Sequence, residues 1–293
     1  MGSGAQMFRA LFAILVGVAL VCDAFAASDA PLGSRLRTIT EKKAIKVAYR
    51  TDATPFAYLG PEKEPVGYTV DLCKLVVASI AKQNGIDTLK IDWVPVNAHT
   101  RFDAVKNRQA DIECGSSTIT LRRMGDVDFS SVTFVETTGI VVKADSGIDN
   151  ASQLSGKKVA VIADTTNERA LDNLRKQGKL DISLVLVKDR ASGIAAINDR
   201  KADAFASDKL LLVGTDIGAS AALKMLPDDL SFEPYGIALP RGDWALRLAV
   251  NTGLAQAYRN GQAADVFRKW FAQLGLKPSG LMTAVYQLGA LPE

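Results

Sequence analysis

A chain of 293 residues allows one or two domains, and its 48% hydrophobic and 23% charged content is ordinary for a globular protein. A formal charge of +3, dispersed and without long runs of one sign, argues against a nucleic-acid partner. With one histidine and three cysteines there is no Cys/His metal spacing, so neither a metal nor another cofactor is expected.

The N-terminus departs from that average. Arg9 precedes an apolar run over 11–21 that is too short for a comfortable membrane span. Ala24 and Ala26 then put small residues at the two positions a signal peptidase reads. Residues 1–26 are expected to be a secretory signal cut after Ala26, with a membrane anchor as the competing reading. Cys22 follows Val21, a poor lipobox residue, so lipidation is not expected. Cleavage removes Arg9 and Asp23 together and leaves the charge at +3. It also leaves Cys73 and Cys114, an even count that permits one disulfide in an exported protein. Cys73 lies mid-helix and Cys114 ends a strand, so the bond requires that helix to pack over that strand. Two buried thiols are the alternative.

Past a polar lead-in over 27–40, Ala44 to Arg50 alternates Ile45, Val47 and Tyr49 with smaller or polar residues, a strand pattern. A loop over 50–56 and a hairpin-like stretch through Gly60, Pro61 and Pro65 follow. Thr69 to Gln83 reads as a helix, with Leu72, Val76 and Ile80 on one face beside Cys73 and Val77. Leu89 to Val96 is the next strand, and a short helix is expected near Arg101 to Arg108. Ala110 to Glu113 then forms a short strand broken by Gly115. Ser116, Ser117 and Thr118 offer three hydroxyls in a tight turn, with Arg122 and Arg123 close behind. Hydroxyls, N–H donors at a helix start and a guanidinium favour an anion, although a capped helix with surface arginines is the plainer reading.

A second strand-rich segment covers Asp128 to Lys143, and Gly156 to Ile162 opens a fresh β-α-β series. Thr165 and Glu168 make a capping-box pattern for a helix through Leu171 and Leu174, ended by Gly178. Ile182 to Val187 is a strand, Ser192 to Asn198 a helix, and Ala202 to Ser207 a strand ending at Asp208. This restart predicts two similar lobes, each with a largely parallel sheet flanked by helices. Tyr235 to Pro240 reads as one more strand. Asp243 caps a helix through Leu246, Val250, Leu254 and Tyr258, and Gly261 separates it from a last helix carrying Val266, Phe267, Trp270 and Phe271. The tail after Pro278 is not assigned.

Ligands of open α/β sheets bind beyond the carboxyl ends of the strands. The residues there are Arg50, Arg101, Ser116, Thr118, Arg123, Thr165, Thr166, Arg190 and Asp208. Arginine suits two-point carboxylate contacts, Thr165 and Thr166 open a helix that can seat an anion, and Asp208 supplies one negative group for an ammonium. The set fits an acidic amino acid.

Several stretches carry a family resemblance. Val66-Gly-Tyr-Thr-Val-Asp71, the Asp111 to Arg123 stretch, Phe129-Ser-Ser131, Leu154-Ser-Gly-Lys-Lys-Val159, Thr165-Thr166 and Tyr235-Gly-Ile-Ala-Leu-Pro240 resemble the family 3 periplasmic solute-binding proteins of polar amino-acid ABC transporters. Glu113-Cys-Gly-Ser116 resembles the glutamate/aspartate-binding branch. The similarity runs from about Leu36 to Gly275. It implies an α/β, type II two-lobed periplasmic binding protein fold with the ligand in the interlobe cleft. The first lobe would take residues 27–137, the second 138–234, and 235–293 would return to the first. It also implies that Arg123, helped by Thr118 and Thr166, grips the α-carboxylate, that Asp208 and Ser116 hold the α-ammonium, and that Arg50 and Arg101 hold the side-chain carboxylate. Arg190 stands where that branch commonly has histidine, Ala98 where it has serine, and Ile119 where it has asparagine.

The expected function is a monomeric periplasmic binding protein that closes on glutamate or aspartate and delivers it to membrane permease subunits. The alternative is a secreted enzyme on the same fold, similar to cyclohexadienyl dehydratases. Its candidate general acids, Glu113, Glu136 and His99, have no evident partner in the sequence, so an enzyme is not expected. A secreted sensor domain is a third reading.

Overall fold

The computed structural model describes residues 30–214 and 222–292, so the expected signal segment 1–26 lies outside them. Ser34 caps α1 (Arg35–Lys42), accepting from the Leu36 N–H. The chain then forms β1 (Ala44–Arg50), followed by β2 (Asp52–Ala53), β3 (Ala57–Leu59) and β4 (Pro65–Val66). These last three make a small antiparallel sheet, which accounts for the hairpin-like stretch. Gly67, at φ +134°, admits α2 (Tyr68–Gln83), because a Cβ there would lie 2.2 Å from the Phe56 carbonyl oxygen. After α2 come β5 (Lys90–Val96), α3 (Arg101–Lys106), β6 (Ile112–Glu113), β7 (Val127–Phe129), β8 (Phe134–Glu136) and β9 (Thr138–Lys143).

The second half continues with β10 (Lys157–Ile162), α4 (Thr166–Lys176), β11 (Ile182–Val187), α5 (Arg190–Asn198), β12 (Ala204–Asp208), α6 (Lys209–Val213), β13 (Leu223–Met225), β14 (Glu233–Tyr235) and β15 (Ala238–Pro240). Three helices close the chain: α7 (Trp244–Arg259), α8 (Gln262–Phe271) and α9 (Gly280–Gly289).

The described residues build two five-stranded sheets, one per lobe. In the first, ordered β5-β1-β6-β15-β7, β1 runs parallel to β5 and β6 while β15 is antiparallel to its neighbours. In the second, ordered β11-β10-β12-β9-β13, β10 runs parallel to β11 and β12 while β9 is antiparallel to its neighbours. β8 and β14 pair with each other in neither sheet, and the chain crosses from lobe to lobe along them. The Tyr235 to Pro240 strand of the sequence reading is therefore two strands. Gly236 and Ile237 break it, because its halves serve the hinge and the first sheet.

Two further expectations need correction. No α-helix starts after Thr118; that residue bridges Tyr235, and only a single 3-10 turn, Arg123–Gly125, follows. Nor is the helix through Phe271 the last one. Ser279 accepts from the Met282 N–H to start α9, Met282 is buried in the first lobe, and the Tyr286 ring lies 5.4 Å from that of Tyr258. Met282 and Tyr286 are four apart and share a helix face, a pattern too short to stand out after Pro278.

Apolar periodicity explains the core. Leu72, Cys73, Val76, Val77 and Ile80 of α2 are buried with Leu246, Val250 and Leu254 of α7 and with Ile45, Val47 and Ile112 of the sheet. An aromatic group completes it: Phe56 meets Tyr68, Phe134, Tyr235 and Phe271 with centroids 4.9–6.1 Å apart. Since Phe134 and Tyr235 belong to β8 and β14, the hinge strands are rooted in the first lobe. Helix α2 covers β6 as the cysteine positions required, and Cys73 and Cys114 form a disulfide across 41 residues of sequence.

Closing a loop of that size is worth ~3–4 kcal/mol on chain-entropy grounds. The double substitution Cys73→Ala/Cys114→Ala should lower the unfolding free energy in urea by about that amount. Thiol titration of denatured, unreduced protein cut after Ala26 should find no free thiol.

Candidate functional site

The two sheets point the carboxyl ends of their parallel strands at each other. Arg50 ends β1, Arg101 opens α3, and Ser116 and Thr118 follow β6; opposite them, Thr165 and Thr166 begin α4, Arg190 begins α5 and Asp208 ends β12. All of these line one interlobe cavity together with Ala98, Ile162, Asn167, Ser207 and Leu211. Arg123 is absent from the lining and lies one layer behind it. The cavity measures about 20 Å³, room for little more than a water, so an amino acid enters only if the lobes part.

Four buried guanidiniums dominate the site. Arg50 donates from Nε and Nη2 to the two oxygens of Asp52, at 2.9 and 2.8 Å, and from Nη1 to Ser116 Oγ at 3.2 Å. Burial works against its charge, but Asp52, joined by Asp208 and Glu113, outweighs that and holds Arg50 above the usual arginine value. Arg101 donates from Nη1 to the Ser116 carbonyl at 3.0 Å, and its Nε is buried with no hydrogen-bond partner among the described residues. Arg123 donates from Nη1 to the Thr118 carbonyl at 2.7 Å. The Cζ atoms of Arg101 and Arg123 lie 4.8 and 4.9 Å from the Phe102 ring centroid. Arg190 buries both Nε and Nη1 with no hydrogen-bond partner among the described residues. Burial, helped by neighbouring arginines, lowers Arg101 and brings Arg123 and Arg190 down to about 9 and about 10.

Gly115 leaves room for the Glu113 carboxyl to pack against the turn that carries these donors. A Cβ there would fall 2.2 Å from Oε1 of Glu113 and 3.3 Å from Cγ of Arg50. Glu113 is fully buried, and its Oε2 accepts from Ser117 Oγ at 2.6 Å. Burial outweighs the nearby arginines and raises its value.

The second lobe presents Asp208, whose Oδ1 accepts from Asn167 Nδ2 at 2.7 Å and whose Oδ2 accepts from Tyr235 Oη at 2.5 Å. Asn167 Nδ2 also donates to Thr138 Oγ1 at 2.8 Å. The Thr165 hydroxyl caps α4: it donates to the Ile162 carbonyl and accepts from the Glu168 N–H. Glu168 turns back to the Asp164 N–H, one residue earlier than a capping box requires. Thr166 Oγ1 lies 3.3 Å from Thr118 Oγ1 of the other lobe.

That last contact is one of several that close the cleft. Asp52 Oδ2 stands 3.7 Å from Arg190 Nη2, and His99 Nε2 is 3.1 Å from the Lys188 carbonyl oxygen. Backbone also meets backbone at Gly214, where a Cβ would lie 2.3 Å from the Thr54 carbonyl oxygen. Asp52, Asn167 and Tyr235 were not among the expected contacts. Asn167 follows the Thr165-Thr166 pair directly and could have been included with it; Asp52 stands two residues after Arg50, but its approach to Arg190, like the reach of Tyr235 to Asp208, comes only from long-range folding.

The chain that carries this site is similar to known proteins in sequence and in fold. The sequence model of the bacterial extracellular solute-binding proteins, family 3, matches residues 45–273. An L-glutamate/L-aspartate-binding protein of Pseudomonas aeruginosa is 32% identical over 280 residues, 93% of this chain and 88% of that protein. A glutamate/aspartate import solute-binding protein of Escherichia coli is 28% identical over 88% of this chain and 85% of its own length. Among solved structures, an ancestral amino acid-binding protein described as a precursor of cyclohexadienyl dehydratase superposes with a TM-score of 0.69. It is 26% identical and covers 81% of this chain and all of its own, 100%. The solute receptor for L-cysteine of Neisseria gonorrhoeae gives a TM-score of 0.72 at 21% identity, over 83% of this chain and 97% of that one, which establishes the shared fold.

The hinge carries a pH response. Burial, reinforced by the Asp208 carboxylate, pushes Glu136 up to about 8 from an ordinary 4.5. The folded value exceeds the unfolded one, so its contribution to stability is complete below about pH 4.5 and is lost as pH rises through about 8. Glu136→Gln should remove that loss, making the variant more stable than the parent at pH 8 by roughly 2–4 kcal/mol and flattening the decline above pH 5. Urea unfolding at a series of pH values reads this out.

Proposed function

Because the chain belongs to the bacterial extracellular solute-binding proteins of family 3, we propose that it is the periplasmic binding component of an amino-acid ABC transporter, taking up glutamate or aspartate and passing it, as a monomer, to membrane permease subunits. The observation that carries the choice of ligand is the set of unpaired donors. Arg101 Nε and Arg190 Nε and Nη1 are out of water beside the lining of a cavity that also holds Asp208. Buried N–H groups without partners are costly, and a carboxylate with two lone pairs per oxygen satisfies several at once. The glutamate/aspartate relatives support the same reading.

In this scheme Asp208, braced by Asn167 and Tyr235, receives the α-ammonium together with Ser116. Arg123 stands behind Thr118 to hold the α-carboxylate, with the Thr118 and Thr166 hydroxyls at its side. Arg101 takes the distal carboxylate with Arg190, and Arg50 joins them when its pair with Asp52 loosens. Contacts from both lobes make the closed form the one the ligand prefers, which is all that closure requires. Glu113 and Glu136, carboxyls that could offer a proton, do not line the cavity, and His99 is held at the rim by the Lys188 carbonyl. Residues 1–26 serve as the export signal.

Calorimetry on ligand-stripped protein tests the assignment. Arg123→Ala should weaken glutamate and glutamine alike. Arg101→Ala should penalise glutamate far more than glutamine, because losing a charged partner in a closed site costs on the order of 2–5 kcal/mol. That corresponds to at least tens of fold in affinity. Equal losses at Arg101, or no loss at Arg123, would refute these roles. Intact-mass measurement of periplasmic protein should show a chain beginning at Ala27.

A further inference from the structure

Asp52 lies on β2, two residues beyond Arg50, and the binding scheme above leaves it without a ligand contact. Its two oxygens receive the Arg50 Nε and Nη2 hydrogen bonds in a two-point pair. One of them also faces Arg190 Nη2 at 3.7 Å across the cleft. The first contact lies within a lobe and the second joins the lobes. Arg190 has no other ion pair among the described residues, and its Nε and Nη1 are unpartnered. A carboxylate between two cleft arginines has the charge and geometry of an acidic ligand's distal group. Its side chain remains 38% exposed, so it can leave for water without unpacking a core.

Charge balance points the same way. Arg50 weakens the protonated state of both Arg101 and Arg190 by repulsion, and Asp52 is the carboxylate that most supports Arg50 and Arg190. With Asp52 removed, Arg50, Arg101 and Arg190 would crowd one small cavity with Asp208 as the carboxylate left in its lining, and like charges with too little counter-charge oppose closure.

We propose that Asp52 is a resident counter-anion: it lets the lobes meet without ligand, and the distal carboxylate of an acidic amino acid competes with it for Arg50 and Arg190. The inference rests on the acidic-amino-acid reading of the cleft. Asp52 thus lowers affinity for acids and narrows the preference for acid over amide. It works as a specificity-determining residue by competing with the acidic ligand for the same guanidiniums. Its removal gives the arginines to the ligand alone.

The test titrates parent, Asp52→Asn and Asp52→Ser with glutamate and glutamine, and records small-angle scattering of each without ligand. Glutamate should bind both variants roughly tenfold more tightly, and glutamine should change less than about threefold. The unliganded variants should scatter as more open particles than the parent. A fall or no change in glutamate affinity in both variants, an equal gain for glutamine, or identical scattering would overturn the proposal. If the parent binds neither glutamate nor aspartate, the acidic reading fails by itself. The scattering difference then decides whether Asp52 holds the lobes together.

Discussion

Taking a guanidinium out of water costs several kcal/mol unless an opposite charge or well-placed acceptors meet it. This chain does so four times around one cleft, at Arg50, Arg101, Arg123 and Arg190. Much of the local architecture is the response. The Ser116 and Thr118 carbonyls turn towards Arg101 and Arg123, and the Phe102 ring lies close to both. Asp52 answers Arg50. The turn over 115–118 therefore owes its shape to the arginines behind it as much as to its own hydroxyls, and Gly115 is what lets the backbone pass Glu113 and Arg50. Arg190 is answered least, which leaves the cleft with an unspent attraction for anions.

The rest of the molecule keeps this arrangement in place on one side and adjustable on the other. The Cys73–Cys114 bond ties α2 to the start of the donor turn, and the aromatic group around Phe56 fixes the hinge strands into the same lobe. Tyr235 belongs to both systems, since its ring packs on Phe56 while its hydroxyl reaches Asp208 of the other lobe. Glu136 and Glu233 oppose each other on the paired hinge strands, and burial raises both. The Asp208 carboxylate adds to burial at each of them, so the hinge strands carry two carboxyls whose ionisation is opposed by the same neighbour.

Much of this was legible in the sequence. β1, α2, β10, α4, β11 and β12 announce themselves through period and caps, and the restart at Gly156 gives the second lobe. The rule that ligands bind beyond strand ends gathered the cleft residues before any contact was visible. What failed did so for nameable reasons. The hydroxyls after Gly115 look like a helix start because Ser and Thr favour caps, but Thr118 is drawn into a bridge with Tyr235, more than a hundred residues away. The stretch over 235–240 is uniformly strand-like, and nothing local says that two sheets share it. α9 shows only Met282 and Tyr286, and its partner faces are remote. Asp52 reads as a turn residue, since its meaning depends on Arg190 in the opposite lobe.

Gly214 and Thr54 set one more property of the cleft. Their approach is main chain against main chain, with no side chain to rotate out of the way. Such a contact behaves as a mechanical end-stop, whose position is independent of the cargo behind it. Differences in ligand size would then be absorbed inside, by how the arginines rearrange, and the outline of the shut protein would stay constant. A receptor that recognised that outline would register that the lobes are shut without needing to sense what lies between them.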